Sequence, residues 1–251
     1  MTASAQLNEV FSSFQGEGLY LGQRQLFVRF AGCNLECQYC DSPLAREVTP
    51  TFRYEAQPGS HKWENRPNPV NEAELIALIA TLALPGLTSA LTLTGGEPLL
   101  QVDFLKSFLP LARKELKLPV YLESNGTLPD HLNEVIDQVD VIAMDIKLPS
   151  ATGQSPYWKE HQKFLEIAYL KSFFVKLIVV PETKVTEIVE AAKLVAAVDD
   201  KIVTIIQPCT PHGAIKHAPK AEQLFAFHTS ALRYLKDVRV IPQTHKLLGL
   251  S

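Results

Sequence analysis

The sequence has few of the features that mark membrane, secreted or nucleic-acid-binding proteins. Lys and Arg number 24 against 27 Asp and Glu, so no basic surplus exists to attract nucleic acid or an anionic membrane. No uninterrupted apolar run reaches the ~18 residues that a spanning helix needs. The first residues, MTASAQLNEVF, lack the basic and apolar regions of a signal peptide. We therefore expect no membrane and no nucleic-acid partner.

Cysteine is also scarce. Only four occur, and three of them are crowded into residues 31–42, AGCNLECQYCDS. This distribution is not that of a disulfide framework, so it predicts a cytoplasmic protein. The rest of the composition, 46% apolar and 20% charged over 251 residues, is typical of a globular chain. Its length suits one domain in the size range of the α/β barrels.

The three crowded cysteines, Cys33, Cys37 and Cys40, are spaced Cys-x-x-x-Cys-x-x-Cys. Three thiolates can hold three irons of a 4Fe–4S cluster and leave the fourth iron open, since ordinary electron-transfer clusters have four cysteine ligands. A structural zinc site is the alternative, and it needs four nitrogen or sulfur ligands. A remote residue such as His61 or His212 would have to supply the fourth, because no second Cys-x-x-Cys pair and no His-x-x-x-His pair exists. Three unligated cysteines are the remaining possibility.

Short apolar segments alternate with helical patterns along most of the chain, which predicts a parallel sheet built from βα units. Asn71 and Glu74 form a capping box at the start of the first helix, Thr183 is expected to cap another, and Pro110 to disturb a third. The predicted strands cover residues 7–11, 24–30, 89–93, 119–122, 140–146, 173–180, 202–206 and 238–241. The predicted helices cover residues 71–84, 103–117, 129–137, 156–170, 183–197 and 219–235.

Residues 43–69 contain five prolines and show neither helical nor strand periodicity. The segment is therefore predicted to be a long loop inserted into a single domain spanning residues 1–251. Long loops within domains are usually functional covers or disordered segments. We expect this one to cover an active site or to contact a second subunit.

Polar clusters follow several predicted strands. In parallel α/β folds, ligands bind at the carboxyl ends of the strands, so these clusters are expected to converge on one rim. Cys209 is expected to be a small packed residue rather than a fourth ligand. The clusters are the cysteine loop, Gly95-Gly96-Glu97, Ser124-Asn125, Asp145–Lys147 and Gln207.

Each cluster has a plain structural interpretation as well as a functional one. Thr94-Gly95-Gly96-Glu97-Pro98 is either a tight turn or a backbone shaped for close approach to a ligand, with Glu97 supporting the loop. Ser124–Thr127 is either an Asn-Gly turn or a source of hydroxyl and amide groups. Asp145 and Lys147 are either exposed strand-end charges or binding groups.

Two further groups flank the cysteines. Gln15-Gly16-Glu17-Gly18 is either a hairpin turn or a site whose backbone and carboxylate groups recognise the edge of a pterin-like or guanine-like ring. Arg29 is either a surface-reaching strand residue or a planar fork for a carboxylate. Asp41-Ser42 supplies either a turn cap or hard oxygen ligands of the kind that Mg²⁺ binds.

The cysteine spacing together with Gly95-Gly96-Glu97-Pro98 resembles the radical S-adenosylmethionine (SAM) enzymes. A closer resemblance, to the 7-carboxy-7-deazaguanine synthase family, runs through the whole chain. It is carried by FSSFQGEG at 11–18, FVRFAGCNLECQYCDS at 27–42, Ser124–Thr127 and VIPQTHKLLG at 240–249. Gln-Gly-Glu-Gly before the cysteines and Pro-Gln-x-His near the end are not general radical SAM features.

This resemblance implies a fold and a reaction. The fold is α/β, a partial, open (β/α) barrel of the radical SAM type. The enzymes convert 6-carboxy-5,6,7,8-tetrahydropterin to 7-carboxy-7-deazaguanine with loss of ammonia, on the route to queuosine and other 7-deazapurines. A 4Fe–4S cluster, reduced by a flavodoxin or ferredoxin, splits SAM into methionine and a 5′-deoxyadenosyl radical. The radical takes hydrogen from the pterin, SAM is regenerated, Mg²⁺ assists, and a homodimer is expected.

The resemblance also implies roles for individual residues. The cluster ligands are Cys33, Cys37 and Cys40, and the Mg²⁺ position is Ser42, where many members have Thr. No side chain is implied as a catalyst, because the SAM radical carries the chemistry. A terminal proline is absent, which leaves open whether the carboxylate of Ser251 reaches the site. The implied SAM-binding residues are Tyr39, Cys40, Asp41, Gly96, Glu97, Ser124, Asp145 and Lys147, and the implied substrate-binding residues are Phe14, Gln15, Gly16, Arg29 and Thr94.

Two rival functions remain at this point. One is a different radical SAM reaction, such as activation of a glycyl-radical enzyme, which would not need Gln15–Gly18 and Arg29. The other is a zinc-stabilised α/β binding module without catalysis. Anaerobic reconstitution separates the second from a cluster protein, because a cluster protein is brown and holds about four irons per chain.

Overall fold

A ten-stranded sheet forms the centre of the computed structural model, which describes residues 3–250. The strands lie in the order β12-β11-β10-β9-β8-β7-β3-β2-β4-β5. Two further short strands, β1 and β6, pair with each other. The strands are β1 Ser4–Ala5, β2 Leu7–Phe14, β3 Arg24–Phe30, β4 Thr51–Glu55, β5 Trp63–Pro67, β6 Val70–Asn71, β7 Leu91–Gly95, β8 Val120–Ser124, β9 Val141–Asp145, β10 Ser172–Val179, β11 Thr204–Pro208 and β12 Val238–Val240.

The seven neighbouring strands β3, β7, β8, β9, β10, β11 and β12 run parallel to one another. β2 is antiparallel to β3, and β5 is antiparallel to β4. The two edges, β5 and β12, do not pair with each other within residues 3–250, so the sheet is not closed. Apolar side chains on the strands pack against the connecting helices, as expected for βα units. The predicted partial, open barrel is confirmed.

Eight α-helices are described, and they include all those predicted. Their bounds are α1 Glu72–Leu82, α2 Val102–Leu116, α3 Pro129–Val135, α4 Pro149–Thr152, α5 Trp158–Ala168, α6 Val185–Ala196, α7 Ala221–Ala231 and α8 Thr244–Leu247. The capping box of α1 is confirmed: Asn71 Oδ1 accepts from the Glu74 amide and Glu74 Oε2 accepts from the Asn71 amide, both at 3.0 Å.

Two predictions about helices were wrong. Pro110 does not interrupt α2, because it lies on the exposed face while Phe108 and Ala112 pack into the core. A carbonyl that loses its partner to proline on that side can bind water. Thr183 does not cap α6; its hydroxyl accepts from the Val180 amide at 2.9 Å, and the helix begins two residues later.

The prediction of a structureless loop at 43–69 was also wrong. Pro43–Arg46 form a 3₁₀ turn, and β4 and β5 form an antiparallel hairpin that extends the sheet. A search for apolar periodicity does not detect this hairpin, because cation–π stacking contributes to its stability. The Arg53 guanidinium lies 4.2 Å from the Trp63 ring centroid, and that of Arg66 lies 4.8 Å from the Tyr54 ring centroid. That residues 1–251 form a single domain stays a prediction.

The side chains inside the barrel fall into two layers. We call Tyr121, Ala143, Phe174 and Ile205 the lower layer; all four are buried and in one apolar cluster. Alternate residues of a strand share a face, so the same strands carry Glu123, Asp145, Lys176 and Gln207 two residues further on. We call these the upper layer. On each of these strands, the inward-facing side chains therefore change from apolar to polar over two residues.

Candidate active site

A cavity of about 570 Å³ opens at the carboxyl ends of the parallel strands. Every residue to which the sequence analysis gave a binding role lines this one cavity, although the residues come from five separate parts of the chain. They are Phe14, Gln15, Gly16, Arg29, Cys33, Cys37, Tyr39, Cys40, Asp41, Ser42, Thr94, Gly96, Glu97, Ser124, Asp145 and Lys147. The predicted convergence on one rim is confirmed for all of them.

The cysteine loop follows β3 directly and is held by its neighbours rather than by regular structure. Asn34 joins it to the loop after β8, donating to Thr127 Oγ1 at 2.8 Å and accepting from Asn125 Nδ2 at 2.9 Å. Leu35 is buried beneath it. These contacts fix the beginning of the short segment that carries the three thiols.

All three thiols of the loop are free and line the cavity. Burial raises the pKa of the Cys33 and Cys37 thiols, so they hold their protons until a metal displaces them. Within residues 3–250, no three His, Cys, Asp or Glu side chains are placed to hold one metal ion together. A cluster needs a different arrangement, with one sulfur on each of three irons. Three thiols on one short loop facing one cavity fit it.

Gly95 and Gly96 approach the protein's own backbone. A Cβ on Gly96 would lie 1.9 Å from the Gly32 carbonyl oxygen, and Gly95 has a φ of +128° beside Phe30. The Gly96 amide donates to the Phe30 carbonyl at 3.1 Å. The Gly96 amide is therefore not free to bind a ligand, and the glycines let the loop after β7 pack on the cysteine loop.

Glu97 is fully buried and ties two loops together. One carboxylate oxygen accepts from the Asn125 amide at 2.7 Å, and the other from the Leu99 amide and the Ser124 hydroxyl, each at 3.1 Å. Burial raises the pKa of this carboxyl to about 7 despite these donors. Glu97 thus supports the loop as predicted, and its oxygens are engaged with protein groups rather than directed at a ligand.

Charges of alternating sign form a chain of contacts in the cavity. Lys147 Nζ lies 2.9 Å from Asp145 Oδ2 and 3.1 Å from the Tyr39 hydroxyl. Lys176 Nζ lies 3.3 Å from the other oxygen of Asp145 and 2.5 Å from Glu17 Oε2. The carboxylates keep both lysines charged although the lysines are buried.

A second set of polar side chains is joined by hydrogen bonds. Gln15 Nε2 donates to Glu123 Oε1 at 3.0 Å, and the Thr94 hydroxyl donates to Glu123 Oε2 at 2.6 Å. Gln25 Oε1, behind them, accepts from Gln15 and from Thr92. Gln15 and Thr94, predicted from sequence, are thus oriented by Glu123, which the sequence analysis gave no role.

Arg29 lies on β3 with its side chain 15% exposed. Its Nε donates to Glu9 Oε1 at 2.7 Å, and Arg53 pairs with the other oxygen of that carboxylate. Within residues 3–250 the two terminal nitrogens of Arg29 make no hydrogen bond, so that side of the fork remains available to a ligand. Glu9 orients the guanidinium.

The C-terminal segment packs across the cavity mouth. Thr244 donates from its amide to the Gly16 carbonyl at 2.9 Å, and His245 covers Gly16 so closely that a Cβ there would lie 2.1 Å from the ring Nδ1. Gln243 Nε2 donates to Glu17 at 2.8 Å and to Asp41 at 3.0 Å. The carboxylate of Ser251 lies outside the described residues.

Three upper-layer residues were missed or misplaced by sequence reasoning. Lys176 is the single charge in the apolar run FFVKLIVV, and Glu123 precedes the predicted Ser124-Asn125; each signal was present but not used. Gln207 was predicted to reach the rim, which was wrong: it is fully buried and does not line the cavity. Cys209 is buried as predicted and also borders the cavity.

The sequence is similar to known protein families. Residues 27–195 match the model of the Radical SAM superfamily. The 7-carboxy-7-deazaguanine synthase of Geobacter sulfurreducens is 43% identical over 98% of this chain and 97% of its own length. That of Methanothermobacter thermautotrophicus is 35% identical over 98% of each chain.

Solved structures agree on the fold. The crystal structure of QueE from Escherichia coli superposes with a TM-score of 0.60 at 21% identity, covering 96% of this chain and 94% of that one. Streptococcus suis SuiB bound to S-adenosylmethionine superposes with a TM-score of 0.53 at 14% identity, covering 86% of this chain and 51% of SuiB. In the described residues, no helix combines the length and apolar character needed to cross a bilayer.

A match over most of the sheet to the superfamily model, full-length relatives at 35% and 43% identity, and three free thiols in one cavity lead to one assignment. The chain belongs to the 7-carboxy-7-deazaguanine synthase family of radical SAM enzymes.

Proposed function

We propose that this protein converts 6-carboxy-5,6,7,8-tetrahydropterin to 7-carboxy-7-deazaguanine with loss of ammonia, using SAM catalytically. The observation that carries the proposal is one cavity lined both by the three cysteines and by Gln15, Gly16 and Arg29. A radical generated at the cysteine loop would therefore arise beside the groups suited to a carboxylated pterin. The product is a precursor of queuosine and related 7-deazapurines.

Cys33, Cys37 and Cys40 would hold three irons of a 4Fe–4S cluster, and SAM would bind the fourth. Bound together, cluster and SAM supply a 5′-deoxyadenosyl radical. The protein's part is to hold the cofactor in a fixed pose and to exclude water. Tyr39, Asp41, Gly96, Ser124, Asp145 and Lys147 line the wall proposed for SAM, and Glu97 holds that wall together from behind.

The substrate would lie against the other wall. Arg29 offers two terminal nitrogens to the substrate carboxylate, since only its Nε is used by Glu9. Gln15, Thr94 and the Gly16 backbone offer donors and acceptors to the ring edge, and Phe14 lies at the entrance with 46% of its surface exposed. No protein side chain is proposed to act as an acid or base.

Mg²⁺ is proposed to bind near Ser42. The residue stands at the start of a 3₁₀ turn, yet its hydroxyl makes no capping hydrogen bond, so the alternative role as a turn cap finds no support. Ser42 lies beside Asp41 and faces the cavity, which lets the substrate supply further oxygen ligands, as Mg²⁺ sites commonly require.

We also propose a flavodoxin or ferredoxin as electron donor, a homodimer as the working assembly, and the cytoplasm as the location. The free thiols at 33, 37 and 40 are consistent with a reducing compartment. The donor and the dimer rest on family membership. The hairpin β4–β5, which borders the cavity through Arg53, remains a candidate for a cover or a subunit contact.

The test is anaerobic turnover of the reconstituted chain with 6-carboxy-5,6,7,8-tetrahydropterin, SAM, Mg²⁺ and a strong reductant, followed by mass spectrometry. We expect 7-carboxy-7-deazaguanine to form with many turnovers per SAM. Conversion of SAM to 5′-deoxyadenosine with no change in the pterin would instead favour the rival reaction, activation of a glycyl-radical protein. A protein that assembles no iron cluster at all would refute both.

The carboxylate assignment has its own check in Arg29→Ala. The substitution should abolish most turnover through weaker pterin binding, while Glu9 keeps Arg53 as a partner and the cluster absorbance is unchanged. Unaltered turnover would remove Arg29 from the substrate site.

A further inference from the structure

Lys176 occupies a position that the proposed function does not explain. It lies in the middle of β10, and its side chain is only 3% exposed. Its ammonium donates to Glu17 Oε2 at 2.5 Å and forms an ion pair, without a hydrogen bond, with Asp145 Oδ1 at 3.3 Å. Glu17 belongs to the turn on the substrate wall, whereas Asp145 ends β9 on the SAM wall. Lys176 is thus a cation shared by the two walls.

Burying a lysine is unfavourable unless the charge is paired and hydrogen-bonded. Here the pairing is shared, because each carboxylate also has a second partner: Asp145 contacts Lys147 at 2.9 Å, and Glu17 accepts from Gln243 Nε2 at 2.8 Å. Neither carboxylate depends on Lys176 alone. What depends on Lys176 alone is the connection between them.

Without that connection, two carboxylates would face each other across the floor of the cavity. Their repulsion would be strong in an environment from which water is excluded. Lys176 therefore attracts both carboxylates at once, and a shift of either carboxylate changes the position that is most favourable for the ammonium and so affects the other.

We propose that Lys176 couples the two ligand sites, so that bound SAM raises the affinity for the pterin and bound pterin raises the affinity for SAM. The inference rests on the proposed function. A ligand that orders Glu17 holds Lys176 in place, which in turn holds Asp145 in the position that receives the other ligand. The second ligand then orders less of the site and binds more tightly. Lys176 is a positioning residue in this scheme, not a catalytic one.

The coupling can be measured without turnover. The full-length, cluster-loaded protein is kept without reductant, so SAM is not cleaved, and is titrated with the fluorescent oxidised analogue 6-carboxypterin in the presence and absence of saturating SAM. We expect SAM to tighten 6-carboxypterin binding at least about fivefold, the lower end of typical coupling. Equilibrium dialysis of SAM with and without 6-carboxypterin must give the same ratio, because binding coupling is reciprocal.

Lys176→Met keeps the length of the side chain and removes its charge. We expect each ligand alone to bind this variant, although more weakly than it binds the wild type, and the ratio of affinities with and without the other ligand to fall to about one. Lys176→Arg keeps the charge and should restore part of the ratio. Should Lys176→Met fail to fold, Lys176→Gln, which retains hydrogen-bonding groups, takes its place. Arg113→Met is the matched control: it breaks the Arg113–Asp140 ion pair, which lies away from the cavity, and should leave the ratio unchanged.

The outcomes separate the two levels of the proposal. A wild-type ratio of one, or an undiminished ratio in the charge-free variant, overturns the coupling while leaving the proposed function intact. A wild-type protein that binds SAM but no 6-carboxypterin, and also fails the turnover assay, overturns the proposed function and the coupling together.

Discussion

Two layers of the barrel interior lie two residues apart on the same strands, yet they differ in polarity, in packing and in their position relative to the cavity. The lower layer, Tyr121, Ala143, Phe174 and Ile205, is apolar and packs tightly, with ring centroids of Tyr121 and Phe174 6.5 Å apart. The upper layer, Glu123, Asp145, Lys176 and Gln207, is polar, and all of its members except Gln207 line the cavity. Because the strands are shared, backbone structure cannot account for the difference.

The contrast separates the source of stability from the source of function. Burying the lower layer contributes to folding through apolar area removed from water. The upper layer contributes little by that route and carries buried charges that are unfavourable unless paired. Gln207 shows the tension most clearly, since neither polar atom of its buried amide has a hydrogen-bond partner among the described residues. Such local conflicts are typical of functional sites.

The largest effect should come from the cysteine loop, where a single atom decides whether the cluster forms. Cys37→Ala should reduce iron after anaerobic reconstitution from about four per chain to near zero, with loss of the brown colour. Cys209→Ala is the control, since Cys209 also borders the cavity but belongs to the packed interior. It should keep its iron. Loss of iron in both variants would mean that Cys209 is a ligand.

Within the upper layer, Glu123→Gln should strongly lower kcat/KM. The carboxylate accepts from both Gln15 and Thr94, whereas a glutamine amide has a single acceptor oxygen, so one of these two donors loses its acceptor. An unpaired buried group is worth roughly 1–3 kcal/mol, so kcat/KM should fall about 5-fold to 150-fold. A variant with full activity would show that Glu123 does not orient these groups.

The lower layer should respond in the opposite way. Ile205→Ala removes a fully buried side chain and should reduce the free energy of unfolding by roughly 2–5 kcal/mol, measured by denaturant titration. Below the melting transition, the Kd for SAM should stay within about twofold of wild type, because Ile205 does not line the cavity. A large change in Kd with unchanged stability would break the distinction between the layers.

The sequence was most informative where chemistry is local. The three cysteines, Gly95–Glu97 and Asp145–Lys147 could be placed on one rim because each follows a strand end, and parallel strands bring such ends together. The roles of Lys176 and Glu123 were not predicted, because they depend on partners more than twenty residues away in sequence. Glu17 is such a partner of Lys176, and Gln15 of Glu123. Nothing in a single sequence pairs Lys176 with Glu17.

The hairpin at 43–69 was missed for a different reason. Its strands are stabilised by stacking of Arg53 on Trp63 and by pairing of β4 with β2, rather than by a buried apolar face. A search for apolar alternation does not detect such a strand. The continuity of α2 through Pro110 likewise depends on which side of the helix faces solvent, and that is known only once the helix is packed.

A smaller effect is expected from His161, which lies behind the upper layer and whose Nε2 donates to the Asn125 carbonyl at 3.2 Å. Burial lowers the pKa of this imidazole to about 4, against an ordinary value of 6.5. The unfolded chain therefore binds more protons between pH 6.5 and 4, so stability is complete above pH 6.5 and declines as the pH falls through that window. The loss should not exceed about 3 kcal/mol.

Comparison of wild type with His161→Gln isolates this contribution. The variant keeps a donor for Asn125 but cannot take up the proton, so the difference in unfolding free energy between the two proteins should vary with pH only between about 4 and 6.5. Urea titrations at half-unit pH intervals measure it. A constant difference across the window would mean that His161 is protonated in the folded protein.

The smallest effect is expected from Ser42→Ala, which tests the proposed Mg²⁺ ligand at the cavity that the upper layer lines. If the hydroxyl is a ligand of Mg²⁺, its loss should weaken the stimulation of turnover by added Mg²⁺ a few-fold without changing iron content, because Mg²⁺ keeps several waters and depends little on any one protein ligand. Ser42→Thr keeps the hydroxyl and should respond to Mg²⁺ as the wild type does. An identical Mg²⁺ response in all three proteins would place the ion elsewhere; a loss in the threonine variant alone would indicate crowding by the added methyl group rather than loss of a ligand.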